Sequence, residues 1–197
     1  MYKKQLHYQK LVCLFSVIAA AIWFVYSLGI ITDIYDSLYA TMMNPNDLTQ
    51  TFVPGSIIYY DMQPFNKQLL IVSIVLILLA CALFLMNTHV RRKYYIGNYV
   101  TVGVYCAATV AVSVWSHIQI SAFKTQYLTT VDFEALKEFA EMWKSPYIES
   151  TFLLDLHYWV IGISLIAVAA QIVNVVWKVK LMRGENALLK GGKEVAV

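Results

Sequence analysis

Four stretches of this chain, residues 11–31, 69–86, 100–120 and 156–177, contain no Lys, Arg, Asp or Glu. Each is close to the ~20 apolar residues that a helix needs to cross the hydrocarbon core of a bilayer. Lipid offers no partner for a backbone N–H or C=O, so a run of this kind has to satisfy its own groups as a helix. Composition agrees: 59% of the residues are hydrophobic and 14% are charged, against roughly half and about a quarter in soluble domains. The connections between the runs are too short to fold as separate soluble domains. The expectation is therefore one all-α membrane domain over residues 1–197, a four-helix bundle.

Orientation follows from the basic residues. Residues 87–95 read Asn-Thr-His-Val-Arg-Arg-Lys-Tyr-Tyr, and cations concentrate in cytoplasmic loops, so Arg91, Arg92 and Lys93 anchor this bridge on the inside. With both termini also inside, the inner side holds eleven cations against two acids and the outer side four against ten, +9 and −6. The inner cations lie at helix ends, where they meet the headgroups of the lipid bilayer; nucleic acid is not an expected partner.

The outer segments are residues 32–68 and 121–155. In the first, the helix of the first run is expected to continue until Asn44-Pro45-Asn46-Asp47 ends it, and Val53-Pro54-Gly55-Ser56 marks another turn. The short apolar run Ile57, Ile58, Tyr59, Tyr60, Asp61, Met62 would be costly in an exposed loop. It either packs on the bundle or meets a partner. The second segment carries an amphipathic helix: Thr129, Thr130 and Asp132 are N-cap candidates, and Phe133, Leu136, Ala140 and Trp143 form its apolar stripe. Its acidic wet face disfavours anionic lipid, which leaves capping of the bundle or binding of a protein. Ser145-Pro146 looks like the start of the last helix, and residues 184–197 read as a disordered tail.

Polar and small residues within the runs mark where helices meet. Gly103, Ala107 and Ala111 form a small-residue stripe that would admit a close neighbour, with the first helix at Ser16 and Ala20 as the expected partner. Gln171 and Asn174 put two amides on one face of the last run. Amides are expensive in lipid, so this face either bonds within the chain or docks against another subunit. Cys13, Cys81 and Cys106 lack Cys-x-x-Cys spacing and read as small apolar fillers, which argues against thiol–quinone chemistry. His117 and His157 fall near the outer ends of the third and fourth runs. They raise an alternative: a haem- or quinone-linked redox subunit, or a metal held with Asp155. The other two histidines, His7 and His89, lie outside the runs and are badly placed as a second ligand pair. No phosphate loop, zinc-protease motif or nucleophile elbow occurs, so neither an enzyme nor a cofactor is expected.

The stretches Val53-Pro54-Gly55-Ser56-Ile57-Ile58-Tyr59-Tyr60-Asp61, residues 87–95, and Thr130-Val131-Asp132-Phe133-Glu134-Ala135-Leu136-Lys137-Glu138-Phe139 resemble a group of bacterial four-helix membrane proteins that accompanies carbohydrate ABC transporter components. The resemblance transfers no catalytic or binding residue. It implies a non-enzymatic accessory or scaffold subunit in the bacterial cytoplasmic membrane. ABC permeases and a solute-binding protein are the implied partners, meeting the chain through the amide face of the fourth helix and the outer surface.

Overall fold

The computed structural model of the chain describes residues 2–44, 47–88, 94–144 and 151–194. Arg91, Arg92, Lys93 and His89, the Ser145-Pro146 start signal, and the side chain of Trp143 lie outside the described residues. The elements are α1 (Tyr2–Thr41), β1 (Met42–Asn44), β2 (Asp47–Thr51), α2 (Ile58–Asp61), α3 (Gln63–Asn87), α4 (Ile96–Thr130), α5 (Phe133–Trp143) and α6 (Phe152–Glu194). Four helical segments are long and apolar enough to cross a membrane: Lys3–Ile30, Ile58–Asn87, Ile96–Thr130 and Phe152–Leu188. That marks the chain as a membrane protein.

Each segment overruns its apolar core, because a helix continues past the hydrocarbon edge for as long as nothing breaks it. The sequence reading ends the last helix near Arg183, whereas α6 runs to Glu194; Gly191 and Gly192 lower helix propensity without forbidding the conformation. The Asn44-to-Asp47 signal ends α1 as expected, but its flanks pair as an antiparallel β1–β2 hairpin, with Met42 opposite Thr51. α2 and α3 are separated only by Met62, whose backbone is also right-handed helical.

The described structure divides into two compact units, and α1, α3, α4 and α6 each contribute a stretch to both. The first unit comprises Met1–Ala21, Val75–Ala111 and Gly162–Val197. Its core mixes apolar residues such as Val12, Ala80, Leu83 and Ala167 with buried Gln5, Gln9, Ser16, Asn87, Gln171 and Asn174. Here α4 turns Val102, Tyr105 and Thr109 inward and leaves Gly103, Ala107 and Ala111 exposed. The expected packing of the small-residue stripe on α1 is therefore replaced by the next face of the same helix. The reason is chemical: the Tyr105 hydroxyl needs an acceptor and finds the Ser16 carbonyl at 3.2 Å. Small apolar residues tolerate an exposed position without such a partner.

The second unit comprises Ile22–Ile74 and Val112–Ile161. Its core is aromatic. Phe65 meets Trp115 and Phe123 at ring-centre distances of 5.2 and 5.6 Å, and Tyr127 contacts both Tyr59 and Phe133. The Pro54–Gly55 turn seats against the junction of α4 and α5: the Asp132 N–H donates to the Pro54 carbonyl at 3.1 Å. Gly55 holds φ +82°, and a Cβ there would lie 1.8 Å from the Thr130 carbonyl oxygen. Of the three N-cap candidates Asp132 takes the role, its carboxylate accepting from Glu134 N and Ala135 N. The helix ends on Lys144 in the left-handed conformation.

Candidate functional site

In the second unit α4 and α6 bring His117 and His157 together. His117 Nδ1 lies 3.1 Å from His157 Nε2, with the rings stacked and Tyr158 against both. His157 is buried and His117 exposed. The Leu154 carbonyl contacts His157 Nδ1, and a carbonyl can only accept, so that nitrogen carries the proton. The Nε2 of neutral His157 is then the acceptor and His117 Nδ1 the donor, which leaves His117 Nε2 open.

Haem does not fit between these rings. Two axial imidazoles on one iron stand ~4 Å apart, twice a metal–nitrogen bond of about 2 Å, with the macrocycle between them. Here the facing nitrogens are 3.1 Å apart and bonded to each other. Nor does Asp155 complete a metal site. Its carboxylate takes Lys124 Nζ at 2.5 Å on one oxygen and the Thr151 hydroxyl at 2.7 Å on the other. No group of three or more His, Cys, Asp or Glu able to hold a metal occurs among the described residues.

In the first unit the amide face of α6 points into the chain. Gln171 Nε2 donates to Ser16 Oγ at 3.0 Å and to Cys13 Sγ at 3.7 Å. Asn174 Oδ1 accepts from Gln5 Nε2 at 2.9 Å, and Gln5 also donates to Gln9 Oε1 at 2.9 Å. Gln9 in turn donates to the Asn87 carbonyl, and Asn87 reaches Thr101 at 3.1 Å. Gln171 and Asn174 are almost completely buried. Of the two readings of this face, the bond within the chain is the one realised, because the same chain supplies the partners that lipid withholds. Continuing that face, Lys178 is also buried, with its ammonium 5.4 Å from the centre of the Tyr99 ring. From charge alone Lys178 is expected among the headgroup cations. Its spacing of four from Asn174 and seven from Gln171 is the signal that places it on the inward face.

The interface candidates divide between the buried and exposed faces of α2 and its flanking Ile57 and of α5. Ile58, Tyr59 and Leu136 are buried in the second unit, Phe133 is half-buried, and Ile57 and Tyr60 are 38% and 46% exposed. Phe52 and Met142 are exposed in the same unit. The three cysteines are free; Cys13 is buried and packed as expected, while Cys81 and Cys106 are partly exposed.

Comparison with protein-family models, with curated proteins and with solved structures finds no match to this chain.

Proposed function

We propose that this chain is a non-enzymatic accessory subunit of a larger bacterial cytoplasmic-membrane assembly, with its N and C termini inside. The observation that carries the proposal is the anchored display of Ile57 and Tyr60. Their neighbours Ile58, Tyr59 and Met62 are buried in the second unit, so two apolar side chains are held outward on a fixed backbone. Rigid aromatic and aliphatic anchors of this kind are what binding hot spots are made of, because little conformational freedom is lost on docking. The amide groups of Gln5, Gln171 and Asn174 are engaged in hydrogen bonds inside the first unit, which supports a structural role for them. The lateral contact passes from the buried amides to the exposed Gly103, Ala107 and Ala111 face of α4, where a neighbouring helix can approach closely. The resemblance to proteins that accompany carbohydrate ABC transporters supports an importer as the assembly, with permeases beside the chain and a solute-binding protein outside.

The test is purification of the tagged chain from its native membrane in mild detergent, followed by quantitative mass spectrometry. Permease subunits in fixed ratio, lost in an Ile57→Ser/Tyr60→Ala variant that elutes at the same volume when purified alone, support the proposal. A chain that purifies alone, with its importer subunits left behind, sinks it. The redox reading finds no support in the histidine geometry.

A further inference from the structure

Lys178 is 4% exposed, and none of the described carboxylates forms an ion pair with it. An ammonium removed from water carries a penalty of several kcal/mol unless it is paired. The Tyr99 ring facing it recovers about 0.5–2 kcal/mol through its π-face, which leaves most of the penalty standing. Glu185, two turns further along α6, is engaged by the Tyr94 hydroxyl at 2.9 Å. Seven residues of helix set it ~10 Å along the axis from Lys178, too far for a direct pair. The neighbour on the other side adds a second unused donor rather than an acceptor: the Tyr99 hydroxyl is buried with no hydrogen-bond partner.

Tyr99 stands in the first turn of α4, which begins at Ile96 and runs 35 residues, and Lys178 faces its ring from α6. The first N–H groups of a helix have no intrahelical acceptor, and the aligned peptides give that end a partial positive charge. Among the described residues, the Asn98 N–H is taken up locally, by the Tyr95 carbonyl at 3.0 Å. A buried ammonium, a buried hydroxyl and a helix N-terminus together form a set of donors for which the described residues supply no carboxylate, all within the first unit. An oxyanion supplies what this set lacks.

We propose that Lys178, the Tyr99 hydroxyl and the N-terminal turn of α4 bind one phosphate group, brought either by an anionic phospholipid headgroup or by free phosphate. The test uses the full chain, stripped of lipid in detergent. Native mass spectrometry measures retention of phosphatidylglycerol against phosphatidylcholine, and thermal unfolding compares inorganic phosphate with chloride at equal ionic strength. Expected is one tightly held phosphatidylglycerol per chain, with affinity lowered about tenfold or more in Lys178→Met, as for loss of a hydrogen bond to a charged group. Tyr99→Phe is expected to lower it about threefold, as for a neutral donor. It keeps the ring and so decides the matter if Lys178→Met does not fold. Stabilisation by phosphate as well as by the lipid makes the free ion the source; a response to the lipid alone makes it the headgroup. Equal retention in wild type and Tyr99→Phe overturns the site. So does an equal loss in Lys180→Gln, which removes an exposed lysine two positions away and would reveal a general surface attraction.

Discussion

Replacing Gly55 by Ala puts two independent demands on the second unit. The backbone at this position has φ +82°, where a residue with a Cβ costs about 1–2 kcal/mol. The added methyl carbon would sit 1.8 Å from the Thr130 carbonyl oxygen and 2.4 Å from its carbon. Both are backbone atoms, so no side chain can swing aside, and the turn must lift off the end of α4. Forced overpacking of this kind costs about 1–3 kcal/mol. Lifting the turn also breaks the Asp132 N–H to Pro54 carbonyl bond, another ~0.5–1.5 kcal/mol. Together these give a loss of about 3–6 kcal/mol, at the upper end of what single substitutions do. Gly103→Ala is the internal control. Nothing lies within 4 Å of a Cβ there, and the residue is inside α4, so the change should be neutral or stabilise by up to ~1 kcal/mol. Reversible unfolding in mixed micelles, followed by tryptophan fluorescence, measures both. Amide exchange at Asp132 reports whether the turn has lifted. A Gly55→Ala protein within about 0.5 kcal/mol of wild type, its Asp132 amide still protected, would refute the account of how the Pro54–Gly55 turn is held.

Asp132→Ala removes the cap on α5, with its two bonds to Glu134 N and Ala135 N; a loss of about 1 kcal/mol is expected, largely recovered in Asp132→Ser. A double-mutant cycle on Gln5 and Asn174, which share a 2.9 Å bond, should give a coupling of about 0.6–1.7 kcal/mol in micelles; zero coupling would mean the pair is not formed. Haemin added to the purified protein should give no bis-histidine low-spin spectrum, since His117 and His157 face each other without room for a macrocycle. A spectrum of that type lost in His117→Ala would show that the rings separate.

Much of the helical layout could be read from the chain because the bilayer penalises unpaired backbone groups and charges so heavily that few patterns survive. The four charge-free runs coincide with the four candidate spans. The Asp132 cap was also legible from local turn chemistry, whereas the equal depth of His117 and His157 in their runs allowed a contact without requiring it. Helix rotation was not. Gly103, Ala107 and Ala111 obey a packing pattern yet lie exposed, because the competing face of α4 carries Tyr105, whose hydroxyl needs the Ser16 carbonyl. Gln171 and Asn174 admit an internal or an external partner equally well until Gln5 and Ser16 are seen beside them, more than 150 residues away in sequence. Lys178 was hidden by the habit that cations at a span end face headgroups; its register with Asn174 decided otherwise. Within Ile57 to Met62, packing and display are both realised: Ile58, Tyr59 and Met62 are buried, while Ile57 and Tyr60 are exposed.

A photo-crosslinking amino acid in place of Tyr60 tests the accessory role most directly, in cells that express the assembly at native level. The side chain is 46% exposed near buried Tyr59 and Met62, so the probe reaches outward while its buried neighbours keep their packing. The account predicts one dominant adduct, to a solute-binding protein or permease subunit, absent when the probe stands at buried Tyr59. Adducts to lipid alone, or none at all, with the chain intact in the membrane, would contradict it.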